Sequence, residues 1–205
     1  TPEPKYIYSN CLLWDNIEDC LPFMSKGDFC KKYNLDDTDI FLYLPSQCGD
    51  ATRGSAKKAY IKAATQSNTI VKLHPKEDFR LAAGRYDNKF SYELCGIDVT
   101  VLDPIDTHWA YKYADLAMSN QSSVSIEAML YDLPFLYIPP PRFPWCNIFF
   151  QSSFQVSLGE FDDFIKNKEY KNKIENLKQF RDIILSDSNK KAVDLLTEQI
   201  KDLLV

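Results

Sequence analysis

Short unbroken apolar runs alternate with helical segments through the middle of the chain. Several of these runs stop at or just before a proline, and their continuous apolar character is typical of strands buried on both faces of a parallel sheet. Helices between successive runs would provide the crossovers that parallel strands require. The pattern predicts an α/β domain with a doubly wound, mainly parallel sheet. Its strands are predicted at residues 40–44, 69–73, 98–102, 115–119, 133–138 and 154–158.

The same pattern places helices between the strands and at the end of the chain. Asp50 can cap the first of them, over the Ala- and Lys-rich residues 51–66. From Glu160 onward, apolar residues recur at spacings of three and four, which predicts charged helices to the end of the chain. Residues 85–96 are predicted to form a loop, and residues 1–35 follow no regular pattern. Further helices are predicted at residues 77–83, 107–114 and 122–131.

Composition fits a globular protein that builds its own core. The chain has 205 residues, of which 45% are hydrophobic and 26% charged, and these values suit one domain. The formal net charge of −5 argues against a nucleic-acid-binding surface. No apolar run reaches the ~18 residues of a membrane span. The six scattered cysteines are expected to be reduced, as in a cytoplasmic enzyme; a disulfide set and a metal site are the alternatives.

Residues 119–123 form a run of polar residues between the fourth predicted strand and the helix that follows it. The unpaired N–H groups of a helix N-terminus, together with the Ser122 and Ser123 hydroxyls, offer donors to a phosphate or pyrophosphate. Glu127 lies about one turn further on and could reach the hydroxyls of a ribose. The alternative is a capped helix that carries Glu127 on a solvated face.

Two other polar groups follow predicted strands. His74 comes directly after the second strand, two residues beyond Lys72, and can donate to a phosphate or act as an acid or base; a hydrogen-bonded loop histidine is the alternative. After the first strand, Ser46 and Arg53 could meet an anion, although loop polarity alone predicts such residues. Because ligands of open parallel sheets bind beyond the carboxyl ends of the strands, we expect the polar groups to converge at that edge.

Other candidate chemistry in the chain is weaker. Asp106 is expected to cap a short helix, and His108 is expected to be structural. The chain has no Gly-x-Gly-x-x-Gly, no phosphate-loop lysine motif, no metal-ligand spacing and no Ser/His/Asp order. Aromatic residues after the fifth strand are expected to pack under the C-terminal helices rather than to line a pocket for a nucleotide base. They are Phe143, Trp145, Phe149 and Phe150.

Four stretches of the chain carry a resemblance to a known family. They are NCLLWDN (10–16), FLYLPSQ (41–47), VKLHP (71–75) and YADLAMSNQSSVSIEAMLYDLPFLYI (113–138). They resemble, in order, a hinge segment, a strand ending in Pro-Thr/Ser, a Lys-Pro-His-Pro motif and a Ser-Asp-x-x-Ile-Thr-Asp-Tyr-Ser-Ser block. These are features of the CDP-glycerol glycerophosphotransferases, and the non-hydrolysing UDP-GlcNAc 2-epimerases are similar in the same half. The resemblance spans nearly the whole chain and implies the Rossmann-like, C-terminal half of a GT-B fold with C-terminal helices.

The resemblance also implies a role for each matched residue. Ser122 and Ser123 fall on the residues that bind the phosphates of the nucleotide, and Glu127 falls on the acidic residue that binds its ribose. His74 falls on the histidine near the phosphates that is implicated in catalysis. Lys72 would stabilise phosphate charge beside it.

Departures from the family pattern bear on donor specificity. Asn120 and Gln121 stand where the transferases carry Asp and Tyr. The loop that contains Ser46 lacks the arginine that directly follows Pro-Thr, and Arg53 could replace it at a different spacing. The Ser-Gly-Gly of the epimerases is Gln-Ser-Ser here, which disfavours an epimerase.

The resemblance implies the donor-binding domain of a transferase. The enzyme would move a sugar or polyol phosphate from a nucleotide-activated donor to a cell-surface glycan or teichoic-acid-like polymer, with the donor as substrate and no cofactor or metal. Residues 1–38 are expected to form a hinge segment and a first helix, and residues 39–205 the donor-binding domain. The acceptor would bind through a second, N-terminal domain, so the chain alone is expected to be inactive, as a fragment or as one partner in trans.

The same expectations concern the location and the partners of the protein. It is expected in the cytoplasm, without a nucleic-acid partner, and lysines of the C-terminal helices would allow peripheral contact with the inner face of the cell membrane. Two alternatives stay open. One is a non-catalytic interaction module on the same fold, which Asn120 and the missing arginine favour. The other is a sugar-nucleotide 2-epimerase.

Overall fold

The computed structural model describes residues 22–45, 54–73, 91–94, 97–119, 124–138 and 151–179. The chain groups into two compact units. One unit, Met24–Leu177, holds every element named below. The other consists of Thr1–Phe23 and Lys178–Val205, of which residues 22–23 and 178–179 are described. The predicted division of the chain at residues 38 and 39 stays a prediction.

A seven-stranded sheet forms the centre of the described structure. Six of its strands are parallel, and only β3, at one edge, runs antiparallel to its neighbour β4. The predicted α/β class with a mainly parallel sheet is therefore confirmed. The strands are β1 (Phe41–Tyr43), β2 (Thr69–Val71), β3 (Ser91–Leu94), β4 (Ile97–Val101), β5 (Leu116–Ser119), β6 (Phe135–Tyr137) and β7 (Phe154–Gln155).

The order of the strands reverses direction beside β1. Across the sheet the order is β3-β4-β2-β1-β5-β6-β7. The chain therefore adds β2 and β4 on one side of β1, then returns to add β5, β6 and β7 on the other side. This is the doubly wound arrangement of Rossmann-like folds, and its switch point lies between β1 and β5.

The strands on either side of the switch point end at the same level. Tyr43 at the end of β1 is in register with Val71 of β2 and with Met118 of β5. The pairing continues one residue beyond β1 and β2, because Leu44 N–H donates to Met118 O at 2.8 Å and Lys72 N–H donates to Tyr43 O at 2.9 Å. The carboxyl ends of β2, β1 and β5 thus form one continuous edge.

Five helices are described around the sheet, and none of them is long and apolar enough to cross a membrane. They are α1 (Lys26–Tyr33), α2 (Gly54–Ala64), α3 (Thr107–Tyr113), α4 (Val124–Leu130) and α5 (Phe161–Lys166), with short 3₁₀ turns at Pro104–Asp106 and Glu169–Lys171. Helix α1 begins where the Ser25 hydroxyl accepts from Asp28 N–H at 3.1 Å, and it ends at Asn34 in the left-handed conformation.

One face of the sheet packs against α2 and α5. Helix α2 presents the wholly buried Ala59 and Ala63, whose small side chains let its backbone lie close to the strands. Helix α5 contributes Phe161 and Phe164 to the same cluster. The strand residues of this core are Phe41, Tyr43, Val71, Val99, Val101, Leu116, Met118 and Leu136.

Helix α1 packs against α3 rather than extending as an irregular segment. The Phe29 and Tyr113 rings lie 5.7 Å apart, and the Tyr113 hydroxyl donates to Met24 O at 2.5 Å. The apolar pattern of residues 23–33 predicted no regular structure, whereas the resemblance implied a first helix within residues 1–38; the structure has a helix at Lys26–Tyr33. Gly27 obscured the pattern, although a glycine in the first turn of a capped helix costs little because the cap and the packing of Phe29 compensate.

The region before β4 also differs from its prediction. Residues 91–94 form β3 and pair with β4 across a two-residue connection, with Ser91 opposite Thr100 and Leu94 opposite Ile97. The sequence predicted a loop over residues 85–96. An edge strand has a single neighbour and needs no unbroken apolar run, so its sequence carries only a weak signal. The helix predicted at residues 77–83 lies outside the described residues.

The charged C-terminal segment, predicted to be helical from Glu160 onward, is interrupted after its first helix. Helix α5 ends at Lys166, and Lys168 adopts the left-handed conformation with φ of 54°. The interruption is held by one carboxylate. Asp39 accepts from Tyr170 OH at 2.7 Å and pairs with Lys168 Nζ at 2.8 Å and Lys171 Nζ at 2.7 Å. These long-range bonds override the local helical preference.

Candidate functional site

Two of the seven predicted site residues lie in the described part of the chain. Lys72 follows β2, and Glu127 lies in α4. The other five lie outside the described residues, and their placement stays a prediction; they are Ser46, Arg53, His74, Ser122 and Ser123.

The strand ends that lead into the predicted polar segments are neighbours. Residues 46–53 begin three residues after β1, residue 74 lies three residues after β2, and residues 120–123 directly follow β5. Because neighbouring strands lie about 4.8 Å apart, the ends of β2 and β5 are separated by roughly 10 Å with β1 between them. The segments therefore start from adjacent positions on one edge, at the switch point where ligands of this fold class bind.

Lys72 brings a positive charge to this edge. Its side chain is half-buried, and it forms no ion pair or hydrogen bond with any residue that the structure describes. Its backbone is fixed by the hydrogen bond from Lys72 N–H to Tyr43 O. A half-buried ammonium group that meets no carboxylate among the described residues is suited to an anionic ligand.

Ser119 places a buried hydroxyl at the same edge. It is the last residue of β5 and is wholly buried, and its carbonyl accepts from Ile138 N–H at 2.9 Å. Its Oγ has no hydrogen-bond partner among the described residues. An unpaired buried hydroxyl costs about 1–3 kcal/mol, so a donor or acceptor supplied from the adjoining segment or from a ligand would be stabilising.

Glu127 lies in the helix that leads from β5 back to β6. Its side chain is half-buried, and Oε2 accepts a hydrogen bond from the Tyr111 hydroxyl at 2.9 Å. The carboxylate is therefore held on one side by α3, which differs from a glutamate on a fully solvated face. Its other oxygen, Oε1, accepts no hydrogen bond from the described part of the chain.

Tyr111 is a site residue that the sequence did not reveal. It is buried, and burial first and then the negative charge of Glu127 raise its pKa above the ordinary tyrosine value. The phenol therefore stays protonated and remains a hydrogen-bond donor. The available signal was spacing, because His108 and Tyr111 are three residues apart on one face of α3, and Tyr131, the residue after α4, is four residues from Glu127.

A second polar pair joins the same two helices. His108 Nδ1 and Tyr131 OH lie 2.5 Å apart, and the rings of Tyr111 and Tyr131 lie 5.4 Å apart. His108 is buried and packs edge-on against Trp109. The expectation that His108 is structural agrees with this position inside the helix–helix contact.

Asp106 does not cap α3 as the sequence predicted. It occupies the N-cap position but makes no side-chain capping bond. Its buried carboxylate instead accepts from Lys32 Nζ and from Tyr33 OH, both at 2.5 Å. Two partners from α1, one of them charged, outweigh one backbone N–H.

Within the described ranges, no group of His, Cys, Asp and Glu is arranged to hold a metal ion. Cys30 is a free thiol, and the other five cysteines lie outside those ranges. Among the described residues, the polar groups after these strands are the Lys72 ammonium and the Ser119 hydroxyl, and the Glu127 carboxylate lies in the following helix. That set can bind anions and hydroxyl-bearing ligands directly.

The fold and the site together define a Rossmann-like α/β domain with a candidate ligand site at its switch point. No protein-family model matches the chain, and no curated protein matches it. The chain is similar to solved structures of the wall teichoic acid polymerase TagF, with a TM-score of 0.51, 14% identity, and 94% of this chain and 50% of that chain covered. A variant of that polymerase gives a TM-score of 0.52 at 15% identity, covering 87% of this chain and 48% of that one.

A UDP-GlcNAc 2-epimerase from Methanocaldococcus jannaschii is also similar, with a TM-score of 0.43 and 16% identity over 87% of this chain and 44% of that chain. Both kinds of protein that the sequence resembles are thus among the similar structures. The chain spans about half the length of each of these proteins. At these identities the similarity establishes the fold of the chain.

Proposed function

We propose that the chain is the donor-binding domain of a transferase that uses a nucleotide-activated sugar or polyol phosphate. The observation that carries the proposal is the switch point between β1 and β5. The segments that contain Ser46 and the Ser122–Ser123 pair directly follow these two strands, and Glu127 lies in the helix that comes next. The fold shared with the teichoic acid polymerase supports this function, and the crevice beyond the strand ends is where such folds bind nucleotides.

The phosphates of the donor are proposed to lie above the ends of β2, β1 and β5. Ser122 and Ser123 would donate to the pyrophosphate, and Lys72 would supply a positive charge from the neighbouring strand. Ser46 and Arg53 would add donors from the segment after β1. The support for this arrangement is the shared level of the three strand ends and the Lys72 ammonium, which pairs with no carboxylate in the described part of the chain.

His74 is proposed as the catalytic residue. Placed after Lys72, its imidazole would donate to the phosphate oxygen or act as acid or base as the diphosphate bond breaks. Lys72 would stabilise the negative charge that develops on the leaving group. Positioning of the donor would supply a large part of the rate enhancement, because the chemistry itself needs little covalent help from the protein.

Glu127 is proposed to bind the ribose. A carboxylate accepts from two neighbouring hydroxyls of a ribose, and its half-buried position makes these hydrogen bonds stronger than they would be in water. The nucleotide-activated donor is the substrate, and no further cofactor is proposed. The acceptor, a cell-surface glycan or teichoic-acid-like polymer, would be bound by a second domain, so the chain alone is expected to bind donors with little or no turnover.

Titration calorimetry with CDP- and UDP-activated donors tests the proposed function. We expect saturable binding, and we expect Glu127→Ala to weaken it about tenfold or more, because hydrogen bonds to a charged acceptor are lost. Glu175→Ala is the matched control, since it removes the same charge from an exposed position and should leave the affinity unchanged. Indifference of the wild-type chain to every nucleotide would reject the function and favour an interaction module on the same fold.

A further inference from the structure

Two buried aromatic residues of α3 contact polar side chains in α4 and directly after it. Tyr111 OH donates to Glu127 Oε2 at 2.9 Å, and His108 Nδ1 lies 2.5 Å from Tyr131 OH. Helix α3 leads into β5 and α4 leads out of it, so both helices are attached to the strand that borders the switch point. The geometry of Glu127 is therefore tied to the edge of the sheet through α3 as well as through its own helix.

Tyr111 is held too firmly to follow Glu127 if the glutamate moved. Only 1% of Tyr111 is exposed, and its ring packs 5.4 Å from the Tyr131 ring. Helix α3 is further anchored where Tyr113 OH donates to Met24 O. A fixed donor next to a flexible carboxylate sets the orientation of that carboxylate, because the hydrogen bond selects one rotamer of a side chain that otherwise samples many.

The chemistry of the contact leaves Glu127 able to bind a second group. A tyrosine hydroxyl donates one hydrogen bond, whereas an ionised carboxylate can accept about four. Oε2 receives the Tyr111 bond, and Oε1 receives none from the residues that are described. A lysine or arginine in place of Tyr111 would neutralise the carboxylate, but a neutral phenol orients it without cancelling its charge.

We propose that Tyr111 is a positioning residue that fixes the Glu127 carboxylate through Oε2, so that the carboxylate is preorganised to accept hydrogen bonds from the ribose hydroxyls of the donor. This inference rests on the proposed function, because it assigns a partner to the proposed ribose-binding residue. Tyr111 makes no contact with the donor itself. It acts by removing the cost of ordering Glu127 when the ligand binds.

The test compares a nucleotide that has ribose hydroxyls with one that lacks them. Dissociation constants are measured for CDP and UDP and for their 2′,3′-dideoxy forms, with the wild-type chain, Tyr111→Phe, Glu127→Gln and the double variant. We expect Tyr111→Phe to weaken the ribonucleotide about fivefold, the equivalent of one hydrogen bond, and to change the dideoxy affinity less than about twofold. The double variant should show the same ratio of dideoxy to ribonucleotide dissociation constants as Glu127→Gln alone.

Two control variants separate positioning from general destabilisation. Tyr170→Phe removes the same kind of bond, from a buried tyrosine to Asp39 at 2.7 Å, at the opposite edge of the sheet. Tyr131→Phe removes the hydrogen bond between His108 and Tyr131 and keeps the hydroxyl of Tyr111 that bonds Glu127. Both are expected to lower the melting temperature while leaving the ratio of dideoxy to ribonucleotide dissociation constants unchanged.

The outcomes distinguish the inference from the function on which it rests. A wild-type chain that binds no nucleotide overturns the proposed function. A second outcome is that the wild-type chain binds the ribonucleotides more tightly than the dideoxy forms, that Glu127→Gln abolishes this preference and that Tyr111→Phe leaves it intact. This outcome supports the proposed function and overturns the positioning role of Tyr111. Failure of Tyr111→Phe to fold also overturns it, because the hydroxyl would then serve the fold.

Discussion

At the scale of single residues, tyrosine hydroxyls bonded to carboxylates recur in the described structure. Tyr111 donates to Glu127 beside the proposed ribose site, and Tyr170 donates to Asp39 at the amino edge of the sheet. The two carboxylates differ in their remaining partners. Asp39 also pairs with Lys168 and Lys171, whereas Oε1 of Glu127 accepts no hydrogen bond from the described residues. The contrast separates a structural carboxylate from a candidate binding carboxylate.

Asp39 should make the stability of the chain depend on acidity. Burial alone would raise its pKa, but hydrogen bonds from Lys168, Lys171 and Tyr170 outweigh burial and hold its pKa below the ordinary value. A carboxylate with a depressed pKa contributes stability that is fully present above its unfolded pKa of about 3.9 and is lost as the pH falls through the folded pKa. We therefore expect Asp39→Asn to destabilise the chain at pH 7 and to match the wild type increasingly closely as the pH falls below 4.

Urea unfolding of both chains between pH 7 and pH 2 measures this difference. Asp162→Asn is the control, because Asp162 pairs with Lys62 at 2.8 Å from a side chain that is 68% exposed. Exposed pairs contribute about 0–1 kcal/mol, so the control should follow the wild type throughout. A gap between wild type and Asp39→Asn that stays constant with pH would contradict the role of the ionised carboxylate.

At the scale of elements, the sequence predicted the strands whose apolar pattern comes from burial on both faces of the sheet. The strands at 41–43, 69–71, 97–101, 116–119 and 135–137 were visible as apolar runs because central parallel strands contact helices on both faces. The edge strand β3 and the break after α5 were missed. The break depends on Asp39, a partner distant in sequence that leaves no local signal, whereas β3 is an edge strand whose sequence needs no unbroken apolar run.

The end of α1 gives a prediction at this scale. Asn34 closes the helix with φ of 52°, and its N–H bonds back to Cys30 O and Lys31 O. Residues with a Cβ other than Asn and Asp adopt this conformation at a cost of about 1 kcal/mol, whereas glycine adopts it freely. We expect Asn34→Ala to lower the free energy of unfolding by about 1 kcal/mol relative to Asn34→Gly. Urea unfolding measures both variants, and equal free energies of unfolding would show that the left-handed conformation at residue 34 does not affect stability.

At the scale of the whole molecule, the order of the strands determines where the candidate site lies. A doubly wound sheet could be predicted from alternating apolar and helical segments, and so could the candidate residues at strand ends. The position of the switch point could not, because it depends on which strands become neighbours rather than on any single segment. Tyr111 was missed for the same reason, since its partner Glu127 lies sixteen residues away on another helix.

The central claim is that a nucleotide-activated donor binds at the carboxyl edge of the sheet, across the ends of β2, β1 and β5. Amide hydrogen exchange with and without a saturating CDP- or UDP-activated donor tests it most directly. The account predicts slower exchange in residues 46–53, 72–74 and 120–127, with no change at the amino edge around Asn68 and Asp98. Protection confined to the amino edge, or absent everywhere at saturation, would contradict it.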